Sequence, residues 1–223
     1  MKKVLILLTN HATLGTTDEA NGTFAPELTH ALHQLLDAGL DYDLVSIQGG
    51  KAPLYGTDIE GDTINSEILA NEVFQTRVNN TIPATQINIQ DYAAIYYPGG
   101  FGLLSDLASN EFVAQLSASH YEAGGVIGAV CHGPAGLLPI TLSNGQKLIA
   151  DKSVTGFTRE EEVDYGTIDN IPFLLEEALT RTAARYNKVQ PWNEFVIEDN
   201  RVITGQNPAS ASAVGKAIAA HLA

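Results

Sequence analysis

Val126-Ile127-Gly128-Ala129-Val130-Cys131-His132-Gly133-Pro134-Ala135-Gly136 is the stretch on which the fold turns. An uncharged, apolar run leads directly into a cysteine and a histidine, and small residues follow at once. A run of this length reads as a strand buried on both faces, the kind found in parallel sheets. Gly128, Ala129, Gly133 and Ala135 keep both flanks small. That is the steric requirement of a nucleophile elbow, where backbones approach closely and the nucleophile stands on a strained turn. Cys131 also falls at the carboxyl end of a strand, where open α/β folds bind ligands. A helix is expected to begin directly after it. The partial positive charge of that N-terminus would lower the thiol pKa, favour thiolate and expose the sulfur to oxidation by peroxide. The bland alternative is a structural cysteine, since free cysteine is among the most buried residue types. The adjacent histidine and glycines, costly in a sheet core, weigh against it.

Other apolar runs repeat the pattern outward. Lys3 to Thr9, Tyr42 to Ile47 and Ala93 to Tyr97 read as strands, the last ending in Pro98-Gly99-Gly100. Helices are expected from Phe24 to Ala38, with Thr23 as N-cap and Gly39 as stop, and from Ser66 to Val78. A third runs from Asn110 to a Gly124-Gly125 stop, and further helices span Pro172 to Tyr186 and Pro208 to His221. Gln48 to Asn65 reads as loop. Leu142 to Ile149 reads as a hairpin turned at Asn144-Gly145, and Glu194 to Thr204 as one turned near Asp199-Asn200. Strand–helix–strand order predicts an α/β fold: a three-layer sandwich around a mainly parallel, flavodoxin-like sheet. Without repeats or a Pro/Gly/Ser-rich linker, residues 1–223 read as one domain.

The chain has 223 residues, 44% of them hydrophobic and 17% charged, enough apolar material for a sizeable core. Twenty-six acidic residues against 12 Lys and Arg give a formal charge of −14. Such a chain repels phosphate backbones and anionic lipid, so neither nucleic acid nor a membrane surface is an expected partner. Met1-Lys2-Lys3-Val4-Leu5-Ile6-Leu7-Leu8 superficially resembles a signal peptide. Its apolar core is too short, however, and polar Thr9-Asn10-His11 comes next. The single cysteine excludes an internal disulfide framework and a multi-cysteine metal site. The expected compartment is the cytoplasm.

Ala129-Val130-Cys131-His132-Gly133-Pro134-Ala135 resembles the nucleophile motif of the ThiJ/PfpI superfamily, which shares its fold with class I glutamine amidotransferases. Tyr97-Pro98-Gly99-Gly100, Val154-Thr155-Gly156-Phe157-Thr158 and Ile203-Thr204-Gly205-Gln206-Asn207-Pro208-Ala209-Ser210-Ala211 look like the branch containing glutathione-independent glyoxalases and stress-induced holding chaperones. The resemblance covers nearly the whole chain.

It also gives roles to residues that are ambiguous alone. Glu27, in the first turn of a helix, is favourable with the helix dipole and needs no other reason. The resemblance implies that it reaches the sulfur of Cys131, where burial and like charge would raise its pKa and let it shuttle a proton. Glu160-Glu161-Glu162 reads as a solvated run for two of the three. The resemblance implies that one of them orients His132, with Glu162 the choice and Glu161 the fallback. Gly99 and Gly100 are candidates for an oxyanion hole. Phe101 stands where close relatives often carry histidine, making the expected pocket rim more apolar. Glu27, His30 and His33 have a spacing that invites a metal reading, but on a helix they spread too widely, and no metal is expected.

The activity implied is a glyoxalase III-like conversion of methylglyoxal and related 2-oxoaldehydes to 2-hydroxy acids such as D-lactate. It would proceed through a cysteine hemithioacetal without cofactor, with a homodimer as the implied assembly. The alternatives are a holding chaperone that does not need Cys131 and a cysteine peptidase or amidase using the same triad.

Overall fold

The computed structural model describes residues 2–223; Met1, first of the signal-like stretch, lies outside them. Seven strands form the central sheet: β1 (Lys3–Leu8), β2 (Asp41–Ser46), β3 (Ile82–Pro83), β4 (Ala94–Tyr97), β5 (Val126–Val130), β6 (Val196–Asp199) and β7 (Val202–Gly205). Their order is β6-β7-β5-β4-β1-β2-β3, parallel throughout except for the β6–β7 hairpin. β1, β4 and β5 are neighbours at the centre, and apart from Lys3 at the start of β1 their residues are uncharged and buried on both faces.

Two consecutive tyrosines show how the layers form. Strand residues alternate in direction. The Tyr96 hydroxyl donates to the carbonyl of Glu27 at 2.8 Å on helix α1 (Ala25–Asp37). The Tyr97 hydroxyl meets Ser117 Oγ at 2.6 Å on the opposite side. Apart from a single turn at Gly102–Ser105, the other α-helices are α2 (Thr63–Ala70), α3 (Glu72–Asn79), α4 (Glu111–Glu122), which carries Ser117, α5 (Arg159–Tyr165), α6 (Leu175–Thr182) and α7 (Ala211–Leu222). α7 packs on α1 and on β5 and β7.

The stops expected at Gly39 and Gly124 hold. Leu40 N–H bonds to the Leu35 carbonyl and Gly39 N–H to that of Leu36, with Gly39 at φ 71°. Other expectations change. The N-cap of α1 is Phe24, with no side-chain hydrogen bond, and Thr23 Oγ1 instead accepts from the Thr9 amide. The single helix expected from Ser66 to Val78 breaks at Asn71, whose side chain caps α3 through the amides of Val73 and Phe74. The Asn144-Gly145 segment forms only an isolated bridge, Thr141 to Lys147. The helix expected from Pro172 to Tyr186 is confined to α6, and Arg185-Tyr186 pairs with Ser153-Val154 as a short parallel ladder. Within the stretch read as loop, Leu54-Tyr55 pairs with Thr23-Phe24.

Candidate functional site

β5 ends at Cys131, which takes φ 58°. A non-glycine residue in this left-handed region costs about 1–3 kcal/mol and persists only where its surroundings fix it. Here the Cys131 amide donates to the Gly205 carbonyl at 3.0 Å, and its own carbonyl accepts from Phe157 N–H at 2.9 Å. Gly133 must lack a side chain because a Cβ there would lie 2.2 Å from the Tyr97 carbonyl oxygen. The chain leaves the elbow through a five-residue 3₁₀ turn, Gly133–Leu137, in place of the expected α-helix.

Cys131 Sγ lies 3.4 Å from His132 Nδ1, and His132 Nε2 lies 2.7 Å from Glu162 Oε1 on α5. An Nε2 proton donated to that carboxylate leaves the Nδ1 lone pair facing the sulfur. The second oxygen of Glu162 accepts from the Thr167 hydroxyl. All three of Cys131, His132 and Glu162 are buried.

Glu161 is equally buried but does different work. Its Oε2 accepts from the amide and hydroxyl of Thr158. Its Oε1 accepts from the Trp192 amide, Gln206 Nε2 and Asn207 Nδ2. Glu161 thereby ties α5 to the segments beyond β7, which accounts for the Gln-Asn pair in the sequence. Only Glu160 is a solvated acid, paired with Lys188. The expectation of two solvated acids in this run is corrected to one.

Glu27 is fully buried in the first turn of α1. Neither of its carboxyl oxygens makes a hydrogen bond of normal geometry. Burial raises its pKa to about 8, outweighing the Cys131 thiol and the Gly99 amide, which favour the charged form. A Cβ on Gly99 would stand 2.1 Å from Glu27 Oε2 and 2.7 Å from Cys131 Cβ. The Gly-Gly turn thus makes room for the carboxyl beside the cysteine. The amides of Gly100, Phe101 and His132 take part in no backbone hydrogen bond of the described residues.

The thiol differs from expectation. Burial, then Glu27, Glu161 and Glu162, push the Cys131 pKa well above its ordinary value. A resting thiolate is therefore not what the surroundings favour. The helix-terminus argument fails because only a short 3₁₀ turn succeeds the cysteine and carboxylates converge from distant segments.

Above the sulfur is a pocket of about 170 Å³, lined by Phe24, Tyr55, Phe101, Cys131, His132, Phe157, Tyr165, Trp192 and Pro208. The Phe101 and Phe157 rings flank the imidazole at 4.5 and 4.6 Å. Tyr165 and Trp192, ring centroids 6.2 Å apart, stand at its more exposed rim. Tyr55, Tyr165, Thr167 and Trp192 were not singled out in the sequence, where none lies in a motif. A larger cleft of about 570 Å³, lined by Lys2, His120, Arg201 and His221 among others, lies away from the cysteine. His30 pairs with Asp62 and His33 with Asp37, so the spaced trio with Glu27 faces three different surroundings. Among the described residues, no helix is long and apolar enough to cross a membrane.

The profile of the DJ-1/PfpI family matches residues 19–221. The chain belongs to the DJ-1/PfpI family. It is 33% identical to the glutathione-independent glyoxalase HSP31 of Saccharomyces cerevisiae, over 94% of this chain and 93% of that protein. Among solved structures it resembles Francisella tularensis Rapid Encystment Protein (REP24), at 37% identity, TM-score 0.95 and full coverage of both chains. It also resembles glyoxalase III of Candida albicans, at 27% identity and TM-score 0.87, covering 98% of this chain and 96% of that one. Within this DJ-1/PfpI chain, the strained cysteine and its buried acid neighbours are the chemically distinctive feature.

Proposed function

We propose that the protein is a cofactor-independent glyoxalase that converts methylglyoxal and related 2-oxoaldehydes to 2-hydroxy acids. The observation that carries this reading is the Cys131–His132–Glu162 line at the floor of a small apolar pocket, with the fully buried Glu27 carboxyl packed beside the cysteine. Relatives named as a glutathione-independent glyoxalase and as glyoxalase 3 support it.

The reaction is an internal oxidation and reduction, so protons must move while no external electron acceptor is required. As sulfur attacks the aldehyde carbon, the thiol proton passes to His132 Nδ1. Glu27, carrying a proton at neutral pH, protonates the resulting alkoxide and becomes the carboxylate that removes the former aldehyde hydrogen. His132 returns its proton to the ketone oxygen, giving an enediol. Glu27 then delivers the carbon-bound proton to the second carbon and takes the hydroxyl proton from the first, leaving a thioester. A carboxyl with a pKa near 8 gives and takes protons readily in this range. His132 activates water, and hydrolysis restores the thiol and releases the acid. Glu162 fixes the imidazole tautomer and stabilises its protonated form. Amides of Gly100, Phe101 and His132, which have no backbone partner, are the donors assigned to the developing oxyanion in this reading.

The aromatic enclosure favours a small carbonyl compound over a peptide chain, which disfavours the peptidase alternative. The test is methylglyoxal turnover by the purified protein without glutathione, with lactate as the measured product.

A further inference from the structure

We propose that Tyr55 is a catalytic residue whose phenolic hydroxyl donates a hydrogen bond to the carbonyl oxygen of the bound aldehyde as Cys131 adds to it. This rests on the glyoxalase reading. Tyr55 lines the pocket with Cys131 and His132 and is half-buried. Its ring is fixed from two sides, 4.9 Å from Phe24 and 6.3 Å from Phe101. Its backbone is held by the Leu54-Tyr55 pairing with Thr23-Phe24, immediately before the helix that carries Glu27. One short ladder therefore sets both the phenol and the carboxyl.

The hydroxyl is also unemployed. Tyr92, Tyr96, Tyr97 and Tyr186 each place their hydroxyl on a protein partner, Asp43, the Glu27 carbonyl, Ser117 and the Gly156 carbonyl respectively. Among the described residues, Tyr55 has no such partner, and its half-buried hydroxyl is not sealed from the pocket. Tyr42 and Tyr121 also lack one but do not line the pocket, and Tyr165 stands at its exposed rim. Burial, followed by the nearby Glu27 and Cys131, raises its pKa well above the ordinary value. The phenol therefore stays protonated and acts as a donor throughout.

In the addition step the C–S bond forms, the carbonyl π pair moves onto oxygen, and the thiol proton goes to His132. Tyr55 stabilises the oxygen without losing its own proton. Hydrogen bonds aimed at developing charge in a site that excludes water are worth far more than in bulk water.

The test is Tyr55→Phe, which keeps both ring contacts. Methylglyoxal kcat is expected to fall roughly 10²-fold, with KM little changed. Addition of Cys131 to methylglyoxal, followed by Trp192 fluorescence and loss of free thiol, should slow in parallel. Alkylation by iodoacetamide, which displaces iodide and builds no charge on a carbonyl oxygen, should keep its rate. Unchanged addition, or equal slowing of addition and alkylation, overturns the proposal. Should the wild type add methylglyoxal but form no lactate, the glyoxalase reading fails and the addition rates still judge Tyr55. A wild type that does not add methylglyoxal at all overturns the role of Tyr55.

Discussion

Glu162 holds its two carboxyl oxygens on different partners: Oε1 lies 2.7 Å from His132 Nε2, and Oε2 accepts from Thr167. The acid is thus anchored at one end and directs the imidazole with the other. Glu162→Gln removes the charge that stabilises imidazolium and permits the wrong tautomer. By analogy with the loss of a triad acid, kcat should fall by roughly 10³- to 10⁴-fold. Thr167→Val should give a smaller loss that Thr167→Ser largely restores. Steady-state kinetics on the three variants checks the order, and wild-type kcat in Glu162→Gln would remove the acid from the mechanism.

Glu27 couples activity to stability through pH. Its pKa is about 8 in the folded protein against a reference of 4.5. Between these values the folded state holds a proton that the unfolded chain has lost. Stability from this group is therefore complete below about pH 4.5 and is lost as pH rises toward 8, at about 1.4 kcal/mol per pH unit. Glu27→Gln, neutral and of similar shape, should be inactive yet gain on the wild type in urea-unfolding stability across that window. Parallel stability curves for the two proteins would mean that Glu27 is not protonated in the fold.

The pocket wall sets a preference among substrates. A cavity of about 150 Å³ with apolar walls can hold a benzene ring, and this one measures about 170 Å³ with Phe101, Phe157, Tyr165 and Trp192 around it. Burial of a phenyl substituent is worth about 1.5–3 kcal/mol when complete, so phenylglyoxal should exceed methylglyoxal in kcat/KM by roughly tenfold. Trp192→Ala should erase most of that advantage while sparing methylglyoxal. Equal effects on both substrates would show that Trp192 does not contact the substituent.

The central strands and the elbow were legible because both are local: Val126 to Val130 admits no charge, and Gly133 admits no side chain against Tyr97. Glu162 was legible through its motif, and Glu27 through its place after Thr23-Phe24-Ala25-Pro26. Tyr55 and Trp192 were not, because their positions come from a two-residue ladder and from a left-handed residue at φ 66° tied to Glu161. The direction of the thiol pKa was misread for the same reason. One neighbouring turn can be read from adjacent residues, but burial and acids brought in from two distant segments cannot. The Asn144-Gly145 turn formed without strands, since turn chemistry alone supplies no partner face.

The most direct test compares wild type with Cys131→Ala for methylglyoxal turnover to lactate without glutathione or added cofactor, alongside holding of an unfolded client protein. The account predicts lactate formation by the wild type and none above background by the variant, with client holding, if any, unchanged. Equal lactate formation by the two proteins, or none by either, would contradict it.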